Sequence, residues 1–381
     1  VTSTPTSVST PPGGAPGAPI RLGTRGSALA MTQSGTVARR IEELTGRPVE
    51  LVRIRTEGDV KTGSLASLGG TGVFVTALRE ALLDGRCDVA VHSLKDLPTA
   101  PHPELTYVTP EREDARDALC ARDGLTLATL PTGARVGTGS PRRAAQVRAA
   151  RPDLEVVDIR GNVGTRLDRA LGPEADLDAV VLATAGLKRV GRTDVISQYI
   201  PIETMTPAPG QGALAVEVRT ADVVRGPAGT VPDPGLADAL ADLDHPATRL
   251  AVLAERSVLA RLEAGCAAPV GAYAVLADGE LRLRSVVAAV SGAGRIVRNL
   301  SADLGPYAVG DRACADPGLD EIAEELGVRL AETLLQAGAD ELAPLGTPVT
   351  VAAGTSSSGP GSSGPRSSGP GLGGGAATEG E

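Results

Sequence analysis

The chain has no tryptophan and a single phenylalanine, and aromatic residues make up only 1% of its 381 positions. Its core must therefore be assembled from Ala, Val, Leu and Ile, and stacking of bases on aromatic platforms is disfavoured. Lysine is almost as scarce: Lys61, Lys95 and Lys188 are the only three, so nearly all of the 37 cations are arginines. Arginine's planar fork matches carboxylates in bidentate fashion, which suits an anionic small molecule. There is no excess of positive charge, since the formal net charge is -9; general attraction to nucleic acid or anionic lipid is not expected. No CxxC pair occurs, and Cys87, Cys120, Cys266 and Cys314 lie too far apart for a zinc-type spacing. Reduced thiols, with no metal, are the expectation. No apolar run reaches membrane-spanning length, and VTSTPTSVSTPPGGAPGAP at the N-terminus has neither the basic nor the apolar segment of an export signal. A cytoplasmic protein with no membrane or nucleic-acid partner is expected.

Composition divides the rest. Residues 1–18 and 353–381 are rich in Pro, Ser, Thr and Gly and read as disordered tails. The stretch 221–235, ADVVRGPAGTVPDPG, reads as an exposed insertion. Between the tails, strands predicted at Ile20–Gly23, Val49–Thr56, Cys87–His92, Arg135–Gly137, Glu155–Ile159 and Ala179–Ala183 alternate with helices near 28–44, 73–83, 141–150 and 163–171. This βα alternation predicts α/β lobes built on largely parallel sheets. A long helix at Pro246–Glu263, alternating segments GAYAVLA, ELRLRSVVAAV and RIVRNL, and a helix near 319–337 predict a smaller α+β domain, with a tight turn at Asp278–Gly279.

Ligands in open α/β sheets gather at the carboxyl ends of strands, where this chain repeatedly places cations. In RLGTRGS, Ser27 can cap the following helix and Arg25 lies beside that end; alone, such an arginine is more often solvated. In VGTGSPRRAAQ, Ser140 is positioned to cap, Pro141 fits the first helical position, and Arg142 and Arg143 fall in the first turn. Cations there oppose the helix dipole, so an anion is expected to compensate them. DIRGNVGTRLDR repeats the device with Arg160, a capping Asn162 and Arg166, while Arg169 reads as surface beside Asp168. Lys188 and Arg189 form a fourth basic turn. Among these cations stands an acid, Asp96, in HSLKDLP; it can stabilise a developing cation or move a proton, or simply be a turn residue before proline. His92 reads as a half-buried strand residue. Cys266, in GCAAP, taken by itself reads as an inert small hydrophobe.

Together RLGTRGSALAMTQ, VAVHSLKDLPT, VGTGSPRRAAQ, IRGNVGTRL, LATAGLKRVG, APGQGALAVE and AGCAAPVGAY resemble the porphobilinogen deaminase (hydroxymethylbilane synthase) family, in order and spacing, over about 20–345. The resemblance implies two doubly wound lobes like those of periplasmic binding proteins and a smaller α+β C-terminal domain. Domain 1 would be 19–115 with 208–220, domain 2 would be 116–207, and domain 3 would be 236–352. It also implies a dipyrromethane cofactor held by a thioether to Cys266, acting as primer for four porphobilinogens added head to tail with loss of ammonia, before water releases linear hydroxymethylbilane for tetrapyrrole biosynthesis. The catalytic carboxylate is carried over to Asp96. The carboxylate-binding positions are carried over to Arg25, Arg142, Arg143, Arg160, Arg166 and Arg189, and lesser cofactor contacts to Ser27, Ser93, Lys95, Thr138, Ser140, Asn162, Ala185 and Gln211. Porphobilinogen and the growing polypyrrole would be the partners of a monomer. The chain departs from the family at 60–72, where Ser67 and Thr71 stand in place of lysines, and at Ala267 and Ala268 beside the cysteine. Two other classes share some features. A solute-binding protein would need neither Asp96 nor Cys266, and a nucleotide enzyme would need a Walker or GxGxxG spacing that these turns lack.

Overall fold

The computed structural model describes residues 17–55, 72–225, 229–265, 268–305 and 317–345. The first lobe begins with β1 (Ile20–Thr24), α1 (Ala28–Thr45), β2 (Val49–Arg53), α2 (Gly72–Leu83), β3 (Val89–Ser93) and β4 (Leu105–Val108). The chain then enters a second lobe made of β5 (Asp117–Ala121), β6 (Arg135–Gly137), α3 (Pro141–Ala150), β7 (Glu155–Val157), α4 (Val163–Leu171), β8 (Ala179–Ala183), α5 (Thr184–Arg189) and β9 (Gln198–Tyr199). It returns as β10 (Leu214–Arg219), which lies in the first sheet between β3 and β4.

The two five-stranded sheets share one plan, β2-β1-β3-β10-β4 and β7-β6-β8-β5-β9. Neither is as parallel as the βα alternation suggests. β10 runs antiparallel to both β3 and β4, and β5 antiparallel to both β8 and β9. These are the strands that arrive from the other lobe rather than from a local crossover helix, so the right-handed βαβ rule does not act on them.

Each sheet is covered on both faces, because alternate strand residues point to opposite sides. In the first lobe Ile20, Leu22, Val89 and Val91 pack with Val37 and Ile41 of α1, while Ala90 and Cys87 pack with Leu78 and Leu82 of α2. In the second, Leu119, Val136 and Val181 meet Val147 of α3, whereas Ala118, Cys120 and Val180 meet Leu167 and Ala170 of α4. Cys87 and Cys120 are free and buried, and burial pushes their thiols up to about 11 and about 12. They behave as small apolar groups.

After β10 come α6 (Thr220–Val223), α7 (Pro234–Leu243) and α8 (Pro246–Arg261), the hairpins β11 (Val270–Ala277), β12 (Glu280–Ala288) and β13 (Arg295–Asp303), then α9 (Pro317–Gln336). Within 221–235, Asp233 caps α7 through Leu236 N–H and pairs with Arg47 at 2.7 Å, which ties this stretch to the first lobe. The β11–β12 turn has Asp278 and Gly279 at φ 54° and 78°, the pair of positive values a two-residue hairpin turn demands. α8 and α9 cover the antiparallel sheet through Leu250, Ala254, Val258, Leu326 and Leu330.

The connectors between the lobes cross at Gly212, where a Cβ would stand 2.3 Å from Glu113 O and φ is +90°. Glu255 of α8, fully buried, locks both: it accepts from Arg112 at 2.6 and 3.1 Å, from Gly210 N–H at 2.7 Å and from Ala274 N–H of β11 at 2.7 Å. These donors meet the hydrogen-bonding demand that burial places on the carboxylate.

Candidate active site

Five strand ends supply the site. At the end of β1, buried Thr24 accepts from Ser34 at 2.7 Å, and Ser27 Oγ accepts from Ala30 N–H at 3.3 Å as the cap of α1; half-buried Arg25 lies between them. Gln33 of α1 donates to Ser93 Oγ at 3.2 Å, fastening this turn to the next. There, after β3, Leu94–Asp96 forms a single 3-10 turn. Lys95 Nζ donates to Gln211 Oε1 at 3.4 Å. Burial, with like-charge repulsion from Arg143, pulls the Lys95 ammonium down to about 8 against the opposing pull of Asp96 and Asp117. His92 Nε2 stands 3.1 Å from Glu217 inside the lobe, a core strand residue rather than a base.

The end of β6 holds the densest charge. Gly139 has no room for a side chain, since a Cβ would stand 2.5 Å from Ile159 O, and this close approach sets the arginine turn against the following strand end. Ser140 occupies the cap position of α3, but its hydroxyl makes no capping bond, contrary to expectation; its own N–H donates to Thr138 Oγ1 at 3.3 Å. Arg142 and Arg143 are both buried and both reach Asp117, at 2.8 and 2.9 Å. The anion expected to compensate them is thus first of all a carboxylate of the chain itself, at the start of β5. Arg142 also donates to Thr206 O at 2.7 Å, and Arg143 to Val181 O at 3.2 Å and Gln211 Oε1 at 3.3 Å. Gln211 closes the network by donating to Asp117 Oδ1 and Ala115 O, each at 2.8 Å. Burial alone would raise the Asp117 pKa, but Arg142, Arg143 and Gln211 outweigh it and hold the carboxyl below its ordinary value.

After β7, Asn162 Oδ1 caps α4 by accepting from Thr165 N–H at 2.9 Å. Arg166 donates to Gly161 O at 2.8 Å, and its proton affinity is lowered by burial and then by Arg143 and Arg160, so these cations share one neighbourhood. Arg160 is exposed and 3.1 Å from Asp158. After β8, Ala185 is buried in α5, Arg189 donates to Gly212 O at 2.6 Å, and Lys188 pairs with Glu113 at 2.7 Å. Arg169 pairs with Asp176 at the surface, as its exposed placement predicts.

Lys95, Arg142, Arg143 and Gln211 are therefore joined through Asp117, with Arg166 close by. Asp117 and Thr206 were not legible as site residues; the only local signal for Asp117 is one acid opening an apolar strand. Cys266 and Ala267 lie outside the described residues, as do Ser67 and the 60–71 part of the loop that contains it; Ala268 N–H donates to Gly265 O at 2.9 Å across the cysteine position. The donor set fits a group bearing several carboxylates. Among the described residues, Arg142 Nε and Thr184 Oγ1 are buried without a protein partner, and such atoms are costly unless something accepts from or donates to them.

Comparison with known proteins agrees. The family description "Porphobilinogen deaminase, dipyromethane cofactor binding domain" matches residues 20–224, and "Porphobilinogen deaminase, C-terminal domain" matches 249–336. Similar curated proteins named porphobilinogen deaminase come from Micrococcus luteus, 54% identical and covering 85% of this chain and 94% of its own length, and from Leifsonia xyli, 53% identical and covering 86% and 94%. Among solved structures, a periplasmic substrate-binding protein of an ABC transporter from Coxiella burnetii is 17% identical with a TM-score of 0.36, over 58% of this chain and 91% of that one.

Proposed function

The chain belongs to the porphobilinogen deaminase family, and from that premise we propose how its own residues divide the work. The enzyme is a transferase that condenses four porphobilinogens head to tail on a covalent dipyrromethane, with loss of ammonia, and releases hydroxymethylbilane by hydrolysis. The solute-binding and nucleotide-enzyme readings fall away. We propose that Cys266 is the attachment point, that Asp96 is the catalytic carboxylate, and that Arg25, Arg142, Arg143, Arg160, Arg166 and Arg189 take the acetate and propionate groups. Ser27, Ser93, Lys95, Thr138, Ser140, Asn162, Ala185 and Gln211 complete the cradle.

The observation that carries this assignment is the Lys95–Gln211–Asp117–Arg143 network with Arg142 attached, which collects cations from both lobes around one internal acid. When bound, the cofactor supplies the free pyrrole carbon onto which units are added. The arginines orient carboxylates by bidentate bonds and so fix where the substrate's aminomethyl carbon lies. The amino group, already protonated, leaves that carbon as ammonia, and the positive charge passes to the substrate ring. The Asp96 carboxylate, at the end of the 3-10 turn that follows β3, stabilises that charge and accepts the pyrrole N–H. The same oxygen can hold the proton lost when the new bond is complete. A lowered Lys95 proton affinity rises again beside a bound carboxylate, so substrate binding favours its charged form.

The division into 19–115 with 208–220, 116–207 and 236–352 is likewise our reading, supported by the three separate sheets. We also propose a cytoplasmic monomer with no membrane or nucleic-acid partner. Among the described residues no helix is long and apolar enough to cross a membrane.

Two substitutions test the pocket. Arg142→Leu should impair assembly or engagement of the primer and lower porphobilinogen consumption by about tenfold or more, because a carboxylate left without its arginine loses several kcal/mol, about 2–5. Arg169→Leu, which removes only a surface pair, should consume porphobilinogen at nearly the normal rate. Equal, near-normal rates in both would contradict a shared carboxylate pocket.

A further inference from the structure

We propose that Arg256, on α8, is a positioning residue for the catalytic turn: it clamps the backbone that carries Asp96 and couples it to the helix leading into the cysteine loop. This rests on the reading of Asp96 given above.

Arg256 is 8% exposed and belongs to the helix that leads, a few residues on, to Cys266. Its guanidinium reaches out of its own layer to the first lobe. Nη1 donates to Leu94 O at 3.3 Å and Leu97 O at 3.2 Å, and Nη2 donates to Pro98 O. These three carbonyls converge because Leu94–Asp96 is a single 3-10 turn and Leu97 is extended, at φ -76° and ψ 139°. Pro98 brings no N–H, so the chain cannot continue the turn and satisfy those oxygens itself. Leu94 O also accepts from Leu97 N–H at 3.1 Å; among the described residues no other donor reaches Leu97 O or Pro98 O.

No carboxylate lies within ion-pair distance of Arg256 among the described residues. Its charge is held by the carbonyl dipoles of the Asp96 turn, and its guanidinium gathers three of that segment's carbonyls, in addition to the bond from Leu94 N–H to Ala213 O. A planar fork spans three separated acceptors, whereas an ammonium on a flexible stem does not. The clamp therefore fixes the Asp96 backbone relative to α8, the helix that precedes Cys266 in sequence.

The test uses full-length enzyme as Arg256→Lys and Arg256→Gln, each alone and combined with Asp96→Asn, with turnover, KM for porphobilinogen, thermal unfolding and intact mass measured on every preparation. Arg256→Lys should fold, retain its adduct, keep KM within about threefold and lose about tenfold to a hundredfold in kcat, the effect of misplacing a reacting group by a fraction of an ångström or more. Arg256→Gln should lose at least as much. In the Asp96→Asn background neither change should slow turnover further. Wild-type kcat in folded Arg256→Lys would overturn the clamp, as would losses that multiply fully with Asp96→Asn, since a general structural defect would act independently of that carboxylate. Near-normal turnover in Asp96→Asn alone would instead show that Asp96 is not the catalytic carboxylate, and the clamp would have nothing to position.

Discussion

Asp96→Asn should fold, keep its pyrrole adduct and lose most chain elongation. Asparagine matches aspartate in size and still accepts a pyrrole N–H, but it carries no charge opposite the developing cation and cannot exchange the proton. Preorganised charge stabilisation of this kind is worth about 3–4 kcal/mol, or roughly a hundred- to thousandfold in rate. The turn itself should survive, because its backbone is tied to Ala213 O through Leu94 N–H at 3.1 Å and to Arg256 rather than through the Asp96 side chain. Porphobilinogen consumption and thermal unfolding measured on one preparation separate a chemical defect from a folding defect. A well-folded variant turning over near the normal rate would make Asp96 an ordinary turn residue.

Asp117→Ala has the second largest expected effect, and it falls on stability as well as on binding. The wild-type carboxylate is fully buried and answers two buried guanidiniums at 2.8 and 2.9 Å and one amide at 2.8 Å. Removing one partner of a buried charge cluster typically costs about 3–5 kcal/mol, because the remaining charges stay desolvated. Arg142 and Arg143 would then turn toward any available anion, so primer assembly should also fail or slow. Denaturant unfolding should show a lower midpoint with unchanged slope. Asp117→Asn, which retains the shape and one acceptor, should recover part of the stability but little of the loss in primer binding. An unchanged midpoint in Asp117→Ala would contradict the internal-counterion role.

The elements whose pattern is local were legible. Helices expected at 141–150 and 163–171 and strands at Arg135–Gly137 and Ala179–Ala183 are observed with those bounds. What local pattern does not carry is the direction in which a strand pairs. β10 joins β3 and β4 antiparallel after the chain has passed through the whole second lobe, and nothing in LAVEVR records this. The site shows the same division. The basic turns and the caps at Ser27 and Asn162 could be read from neighbours in sequence. Asp117 could not, since its partners Arg143 and Gln211 are 26 and 94 positions away. Ser140 shows the opposite error. A Ser-Pro pair has the composition of a helix start, yet here the hydroxyl makes no capping bond and the serine N–H turns to Thr138 instead. The expectation that an anion must accompany Arg142 and Arg143 was sound physics with an incomplete answer, because the fold brings its own carboxylate to them.

The central assignment is that one cysteine carries a covalent pyrrole primer on which the chain grows, and the intact mass of the full-length protein with peptide mapping tests it most directly. The purified enzyme should be heavier than its sequence by a bipyrrole, the increment should map to the peptide containing Cys266, and brief exposure to porphobilinogen should add further pyrrole units to that same peptide. Active enzyme with no increment, or with the increment on Cys87, Cys120 or Cys314, would contradict it.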